Sequence, residues 1–305
     1  MFCHLCQAEV DNKHFFRTHK LSLSEYILKH EARQDLLTGE ALPFKGDWDR
    51  YVDTDFLNRN NLKKWLSGKT LAEQKDYCFN LLKKRVDRKG LKYLPTHIEL
   101  KSVLCPATTY LDDIFASEGG YQGLAAKLGL EKRFQETVYF NDKVGNSTIL
   151  IDTREQKPVK LNIPSKIVGL KFGDYTLEGN DTQGLCIERK SLSDFVGTLS
   201  SRNLERFERE IERASAAGSY LVILVEEQLS RSLAFDKLPW LSKQIRCSPD
   251  YIFGNVRELL QKYKNIQFLF CDGRVEMARL IPVILNNQEF CKDWDLQKLY
   301  GLKRL

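Results

Sequence analysis

The sequence lacks any apolar run long enough to cross a membrane. Its longest purely apolar run, LVILV at 221–225, has the length of a strand, whereas a membrane-spanning helix needs about 20 residues. The opening MFCHLCQAEV also lacks the basic segment and apolar stretch of a secretory signal. These two absences predict a protein without a membrane partner that works in the cytoplasm, or in the nucleus of a eukaryotic cell.

Proline and glycine are too scarce for a disordered chain. There are 8 Pro and 18 Gly among 305 residues, with 42% hydrophobic and 29% charged residues, which is typical of globular proteins. Eight cysteines are present, but apart from Cys3 and Cys6 they are scattered singly. Scattered cysteines favour buried thiols in a reducing compartment over a disulfide framework. The net charge of +6 permits a polyanionic partner without requiring one.

The first twenty residues contain a candidate zinc site. Cys3, Cys6, His14 and His19 follow a C-x2-C-x7-H-x4-H spacing, and four such ligands can close a tetrahedral site for structural Zn²⁺. With the LSLSEYILKH that follows, the segment resembles Ros/MucR-type zinc fingers, which implies a zinc finger over 1–32. The Cys-to-His gap of seven is shorter than usual in that family, so His4 and His30 stay open as alternative ligands.

The middle of the chain, 45–135, has a helical pattern. TLAE at 70–73 and THIE at 96–99 are capping boxes, and Gly119 and Gly120 interrupt the later helices. This arrangement is compatible with a helix-turn-helix-like DNA-binding region, and it resembles the small helical modules of homing endonucleases and phage nucleases. The basic run KKRVDRKGLK indicates either a solvated helix face or phosphate contacts. The candidate contacts are Lys83, Lys84, Arg85, Arg88 and Lys89.

From 147 onward, apolar runs of strand length alternate with helical patterns, which predicts a mixed or mostly parallel sheet covered by helices. Several of these runs end in charge: Asp152 and Glu155 follow the first, Asp174 lies at the second, and IERK ends the third. Because side chains alternate along a strand, Glu188 and Lys190 should share one face while Arg189 points to the other. Converging carboxylates suit Mg²⁺ or Mn²⁺, and a metal with a nearby lysine suits attack on phosphorus.

The longer set IDTRE, GDY and IERKSLSDF resembles the XPF-type, ERK-motif nuclease domain of the PD-(D/E)XK superfamily over about 147–285. The resemblance implies an α/β fold with a restriction-endonuclease-like central mixed sheet flanked by helices, preceded here by a small helical region and an N-terminal zinc finger. Residues 286–305 are then a C-terminal tail. The resemblance also implies that metal ligation and catalysis are carried out by four acids, Asp152, Glu155, Asp174 and Glu188. It implies that Lys190 acts as a base or stabilises charge, and that Arg189 and Asp194 support the site. Arg202 is then expected to contact a phosphate.

The function predicted is metal-dependent hydrolysis of DNA phosphodiester bonds by an endonuclease of phage or bacterial type. Flap, branched or junction DNA are candidate substrates, and formation of a homodimer is left open. Two alternatives remain: a non-catalytic zinc-finger DNA-binding protein on a nuclease-like scaffold, and a nuclease directed at RNA. A surface salt-bridge cluster is the simpler explanation for an isolated ERK, but the full set of motifs favours a metal site.

Overall fold

The computed structural model of the chain describes residues 2–3, 6, 8–9, 14–20, 59–135, 147–180, 184–238, 240–241, 245 and 247–305. Contacts divide the chain into two compact units, Met1–Leu91 with Leu100–Gly129, and Lys92–Glu99 with Leu130–Leu305. No helix within the described ranges is long and apolar enough to cross a membrane.

The first unit begins with a hairpin and a short helix. Strands β1 (Phe2–Cys3) and β2 (Ala8–Glu9) pair antiparallel, and helix α1 (His14–His19) follows. The later helices that include residues of this unit are α2 (Arg59–Ser67), α3 (Leu71–Lys89), α4 (His97–Lys101), α5 (Thr108–Ile114) and α6 (Leu124–Leu128).

Helix α3 begins and ends where its sequence predicts. The Thr70 side chain accepts from the Glu73 amide and Glu73 accepts from the Thr70 amide, which completes the capping box. Gly90 ends the helix in the left-handed conformation, with φ of 58°. The second predicted capping box is also present, since the Glu99 carboxylate accepts from the Thr96 amide at 2.7 Å.

The second unit is built on a six-stranded sheet. Its strands are β3 (Ile149–Asp152), β4 (Ser165–Val168), β5 (Tyr175–Leu177), β6 (Gly184–Lys190), β7 (Ser219–Val225) and β8 (Ile266–Phe270). They are arranged in the order β4-β3-β5-β6-β7-β8. Strand β5 runs antiparallel to both neighbours, whereas β3–β4, β6–β7 and β7–β8 are parallel. The predicted mixed sheet is confirmed.

Helices cover both faces of this sheet. They are α7 (Leu192–Thr198), α8 (Ser201–Ala216), α9 (Leu229–Ser232), α10 (Pro249–Lys262), α11 (Gly273–Asn286), α12 (Gln288–Cys291) and α13 (Leu296–Gly301). Leu221 and Ile223 of β7 pack with α7, α8 and α10 in one apolar cluster. Val222 and Leu224 of the same strand pack with α11 and α13 in the other. The period-2 alternation of a strand thus supplies two cores.

Residues 286–305, expected as a tail, form α12 and α13 and cover the edge of β8. The Phe270 amide donates to Gln297 Oε1 at 2.7 Å, and Gln297 Nε2 donates back to the Phe270 carbonyl at 3.3 Å. One glutamine side chain therefore takes the place of a neighbouring strand. Leu296 and Leu299 are buried in the core at the same edge.

Candidate active site

Three strand ends meet at one point of the sheet. Because β5 is antiparallel to both of its neighbours, its beginning lies beside the ends of β3 and β6, with Tyr175 opposite Ile151 and Ile187. The Asp152 amide donates to the Asp174 carbonyl at 2.9 Å, and the Asp174 amide donates to the Ile187 carbonyl at 2.8 Å. The topology thereby places Asp174 beside the charged end of β6.

Gly173 allows the two strands to approach this closely. Its φ is +66°, and a Cβ at this position would lie 2.9 Å from the Ile187 carbonyl oxygen. A side chain would have to displace that backbone and would be strained in the left-handed region. The glycine of the GDY motif is therefore a steric requirement for the position of Asp174.

A cleft of about 390 Å³ opens where these strands end. Within it, Lys190 Nζ donates to Glu188 Oε1 at 2.7 Å, and the Arg189 backbone amide donates to Asp174 Oδ2 at 2.7 Å. Glu188, Lys190 and Asp174 therefore lie together, as the alternation along β6 predicts. The lining residues are Arg154, Gly173, Asp174, Glu188, Lys190, Thr198, Asn203, Arg206, Phe207 and Glu210.

The cleft changes the proton affinities of its groups. Burial and the neighbouring Glu188 carboxylate raise the pKa of Asp174 to about 7. Burial by itself would lower the pKa of Lys190, but its ion pair with Glu188 and the charge of Asp174 raise it above the usual value of 10.5. Lys190 is therefore a cation at neutral pH, while a raised carboxyl pKa shows that a positive charge near Asp174 would be favourable.

On the other face of β6, Arg189 joins two carboxylates. Its guanidinium donates twice to Glu155, at 3.1 Å to each oxygen, and once to Glu226 at 3.0 Å. The side chain of Glu155 is only 5% exposed, so this carboxylate does not reach the cleft and is absent from its lining. We predicted Glu155 as a metal ligand, but its carboxylate is already bidentate to an arginine.

Asp152, also predicted as a metal ligand, is fully engaged by protein donors. Its Oδ1 accepts from the Arg154 amide at 2.7 Å and from Arg154 Nε at 2.8 Å. Its Oδ2 accepts from Arg154 Nη2 at 2.9 Å and from the Leu170 amide at 2.8 Å. The side chain is 1% exposed, while Arg154 is 70% exposed and lines the cleft. Asp152 thus holds a cleft arginine in position rather than facing the cleft itself.

The remaining predicted residues of the motif have separate places. Ser191 caps helix α7 by accepting from the Asp194 amide at 3.2 Å, and the Asp194 carboxylate accepts from the Ser191 hydroxyl at 2.6 Å, which holds the cap in place. Arg202 lies in the first turn of α8, and its side chain is outside the described residues. Asp194 therefore supports the site by fixing the helix that follows the ERK strand.

The basic residues of α3 differ in their exposure to solvent. Lys83, Arg88 and Lys89 are exposed and Lys84 is half-buried, but Arg85 is only 4% exposed and lies among the buried residues of the helix. Arg85 is accordingly withdrawn from the predicted phosphate contacts, because a buried guanidinium cannot meet a phosphate in solvent.

Sequence reasoning missed the wall of the cleft formed by α8. Asn203, Arg206 and Glu210 line it, although the alternating charges of NLERFERE are also typical of a solvated helix face with pairs at i,i+4. Their spacing of three and four residues places them on one helical face, and the neighbouring Phe207 is buried. The helical period alone would have identified this face, but nothing in the sequence places it opposite Glu188.

Three of the four predicted zinc ligands come together in the first unit. Cys6 Sγ lies 3.4 Å from His14 Nε2 and 3.2 Å from His19 Nε2, and the two Nε2 atoms are 3.1 Å apart. Cys3 lies in strand β1, and its side chain is outside the described residues, as are the alternative ligands His4 and His30. A thiol and two imidazoles that converge through these atoms have the donor chemistry that Zn²⁺ prefers.

The carboxylates of the cleft are spaced differently. Among the described residues, Cys6, His14 and His19 are the one group that brings three candidate ligand atoms within 4.8 Å of one another. Mg²⁺ binds through one or two carboxylates and keeps several waters, so Asp174 and Glu188 fit a hydrated cation without a closed set of protein ligands. The raised pKa of Asp174 is consistent with a place for positive charge.

The second unit is a mixed α/β fold with a six-stranded central sheet flanked by helices. Residues 140–284 match the model of the ERCC4 domain, and the second unit therefore carries an XPF-type nuclease domain.

A solved structure described as XPF from Aeropyrum pernix, complex with DNA, matches with 22% sequence identity and a TM-score of 0.36, covering 52% of this chain and 73% of that chain. A likeness at this TM-score supports no statement about substrate. No curated protein shows significant similarity to the chain.

Proposed function

We propose that the protein is a Mg²⁺- or Mn²⁺-dependent endonuclease that hydrolyses DNA phosphodiester bonds in the cleft at the end of β6. The observation that carries the proposal is the convergence of Asp174, Glu188 and Lys190 within an ERCC4 domain. An open cleft lined by two carboxylates and a lysine can accept both a hydrated cation and a phosphodiester.

Asp174 and Glu188 would hold the metal. When bound, the cation activates a water for attack and offsets negative charge on the phosphoryl group. Lys190 stays protonated, since its pKa is raised, and so it serves as a fixed positive charge beside the reacting phosphate rather than as a base. Arg154, held by Asp152, and Arg206 supply two further cations at the cleft wall for the DNA backbone.

We propose that the first unit binds the DNA substrate. Cys3, Cys6, His14 and His19 would bind one structural Zn²⁺, and the exposed Lys83, Arg88 and Lys89 of α3 would contact phosphates. Three convergent ligand side chains support the zinc site.

Elemental analysis of protein never exposed to chelator should find about one equivalent of zinc. The double variant Cys3→Ser, Cys6→Ser should lose it, whereas Cys247→Ser, which removes a half-buried cysteine of the second unit, should keep it. Full zinc retention in the double variant would contradict the ligand set.

The function is tested by cleavage of labelled single-stranded, duplex, flap, splayed and four-way DNA, with matched RNA strands, in Mg²⁺, Mn²⁺ or EDTA. Glu188→Gln should abolish metal-dependent cutting. Glu205→Gln changes an exposed glutamate of α8 outside the cleft lining and should retain cutting.

The preferred substrate would decide whether flap, branched or junction DNA is cut, and faster cutting of RNA would favour the RNA-directed alternative. Binding without cutting would favour the scaffold alternative.

The expected cytoplasmic location and the homodimer stay predictions. Sedimentation of the purified protein with and without DNA would test the second.

A further inference from the structure

Helix α8 brings a third carboxylate to the cleft. Arg206 lies one turn before Glu210 on the same face of α8. Both residues line the cleft, together with Glu188. The neighbouring side of the helix is fixed by the buried residues Phe207 and Ile211. Since the apolar side locks the helix against the core, Glu210 is held in the cleft wall by packing.

The Glu210 carboxylate accepts no hydrogen bond from a described side chain or backbone amide, whereas Asp152 accepts four. Lys190, Arg213 and Arg154 act on it electrostatically, but burial and the Glu188 charge outweigh them and raise the pKa of Glu210 above its usual range. A half-buried carboxylate that faces a second carboxylate across a cleft would gain from a cation, or the waters of a cation, between them.

We infer that Glu210 is the third acid of the metal site, where it accepts hydrogen bonds from the water ligands of the divalent cation held by Asp174 and Glu188. The inference rests on the proposed function. It follows from the spacing, because the ligand atoms of the three acids do not all lie within 4.8 Å of one another, and because Mg²⁺ retains several waters whose hydrogens need acceptors. It gives Glu210 the place that the sequence motif suggests for Asp152.

The experiment measures Mn²⁺ affinity of the full, zinc-loaded chain by titration calorimetry, with free Mn²⁺ followed by electron paramagnetic resonance. Loss of an acid that orients a metal ligand weakens binding by about 10- to 100-fold, and Glu210→Gln should fall in this range. Glu188→Gln should remove detectable binding at the cleft. The control Glu205→Gln makes the same charge change at an exposed position of α8 and should bind as the parent does.

The outcomes separate the inference from the proposed function. Loss in Glu188→Gln with parental affinity in Glu210→Gln would overturn the inference and leave the metal site standing. Parental affinity in Glu188→Gln would overturn the site itself, and the inference with it. Thermal melting of the metal-free proteins is the second readout. Glu210→Gln should melt no lower than the parent, because burial and the Glu188 charge, which disfavour the ionised carboxylate, outweigh the attraction of Lys190, Arg213 and Arg154. A clear fall in its melting temperature would assign Glu210 a structural role instead.

Discussion

At the charged end of β6, acidic and basic side chains are paired differently on the two faces of the strand. On one face Arg189 joins Glu155 and Glu226, so each charge has a partner within 3.1 Å. On the other face Lys190 pairs with Glu188 alone, and Asp174 is left with a pKa near 7. One face is a finished ion-pair network, while on the other face Asp174 forms no ion pair with any described residue.

The difference shows how three consecutive residues serve two purposes. Glu188 and Lys190 face the cleft, where incomplete neutralisation leaves room for a cation. Arg189 faces the other way, and a single guanidinium satisfies carboxylates from the β3 end and the β7 end. Substitutions on the cleft face should therefore mainly lower cleavage, whereas substitutions on the other face should mainly lower stability.

The largest expected effect is on the cleft face. Lys190→Ala should lower cleavage by about 10³-fold, because loss of a fixed charge at the transition state has an effect of this order, while DNA binding is largely kept. Single-turnover rates and binding isotherms measure the two separately. Lys171→Ala, which removes an exposed lysine outside the cleft lining, is the matched control. Retained turnover in Lys190→Ala would remove this lysine from the mechanism.

On the opposite face the expected effect is on stability. Arg189→Met should lower the free energy of unfolding by about 3–5 kcal/mol, because it leaves the buried Glu155 carboxylate without its cation and Glu226 with only Arg274, 3.6 Å away. Chemical denaturation measures this. Adding Glu155→Gln to Arg189→Met should restore part of the lost stability. As a comparison, breaking the exposed ion pair Lys166–Glu178 should lower the free energy of unfolding by less than about 1 kcal/mol. Equal losses for the two pairs would mean that Arg189 does not organise this face.

The smallest effect, taken per pH unit, is the pH dependence of the stability of the metal-free protein. The folded pKa of Asp174, about 7, lies above the unfolded value of about 3.9. Between these values the folded state binds more protons than the unfolded state. The free energy of unfolding therefore falls by at most about 1.4 kcal/mol per pH unit as the pH rises from about 4 to 7, and it levels off above pH 7. Asp174→Asn should flatten this profile in melting experiments. An unchanged slope would assign it to other groups.

The mixed sheet was predictable because its strands are apolar and bounded by charge. Period-2 alternation also predicts that Glu188 and Lys190 face away from Arg189, which the structure shows. The contacts of Asp152 and Glu155 were not predictable, because a carboxylate at the last residue of a strand, or three residues beyond it, can turn either way. Only the tertiary structure shows that Arg154 and Arg189 engage them. Glu210 was missed since the contact between α8 and the strand ends joins residues 22 positions apart.

The glutamine pair at the β8 edge has a practical consequence for anyone who isolates the nuclease module. The family match ends at 284, but the backbone of Phe270 is completed by Gln297, and Gln267 holds the Leu296 amide and the Cys291 carbonyl at 3.1 and 2.6 Å. A fragment cut at the end of the match would leave a bare edge of apolar strand open to intermolecular pairing and precipitation. The smallest well-behaved nuclease module should therefore extend through α13, about twenty residues beyond the boundary that sequence similarity draws.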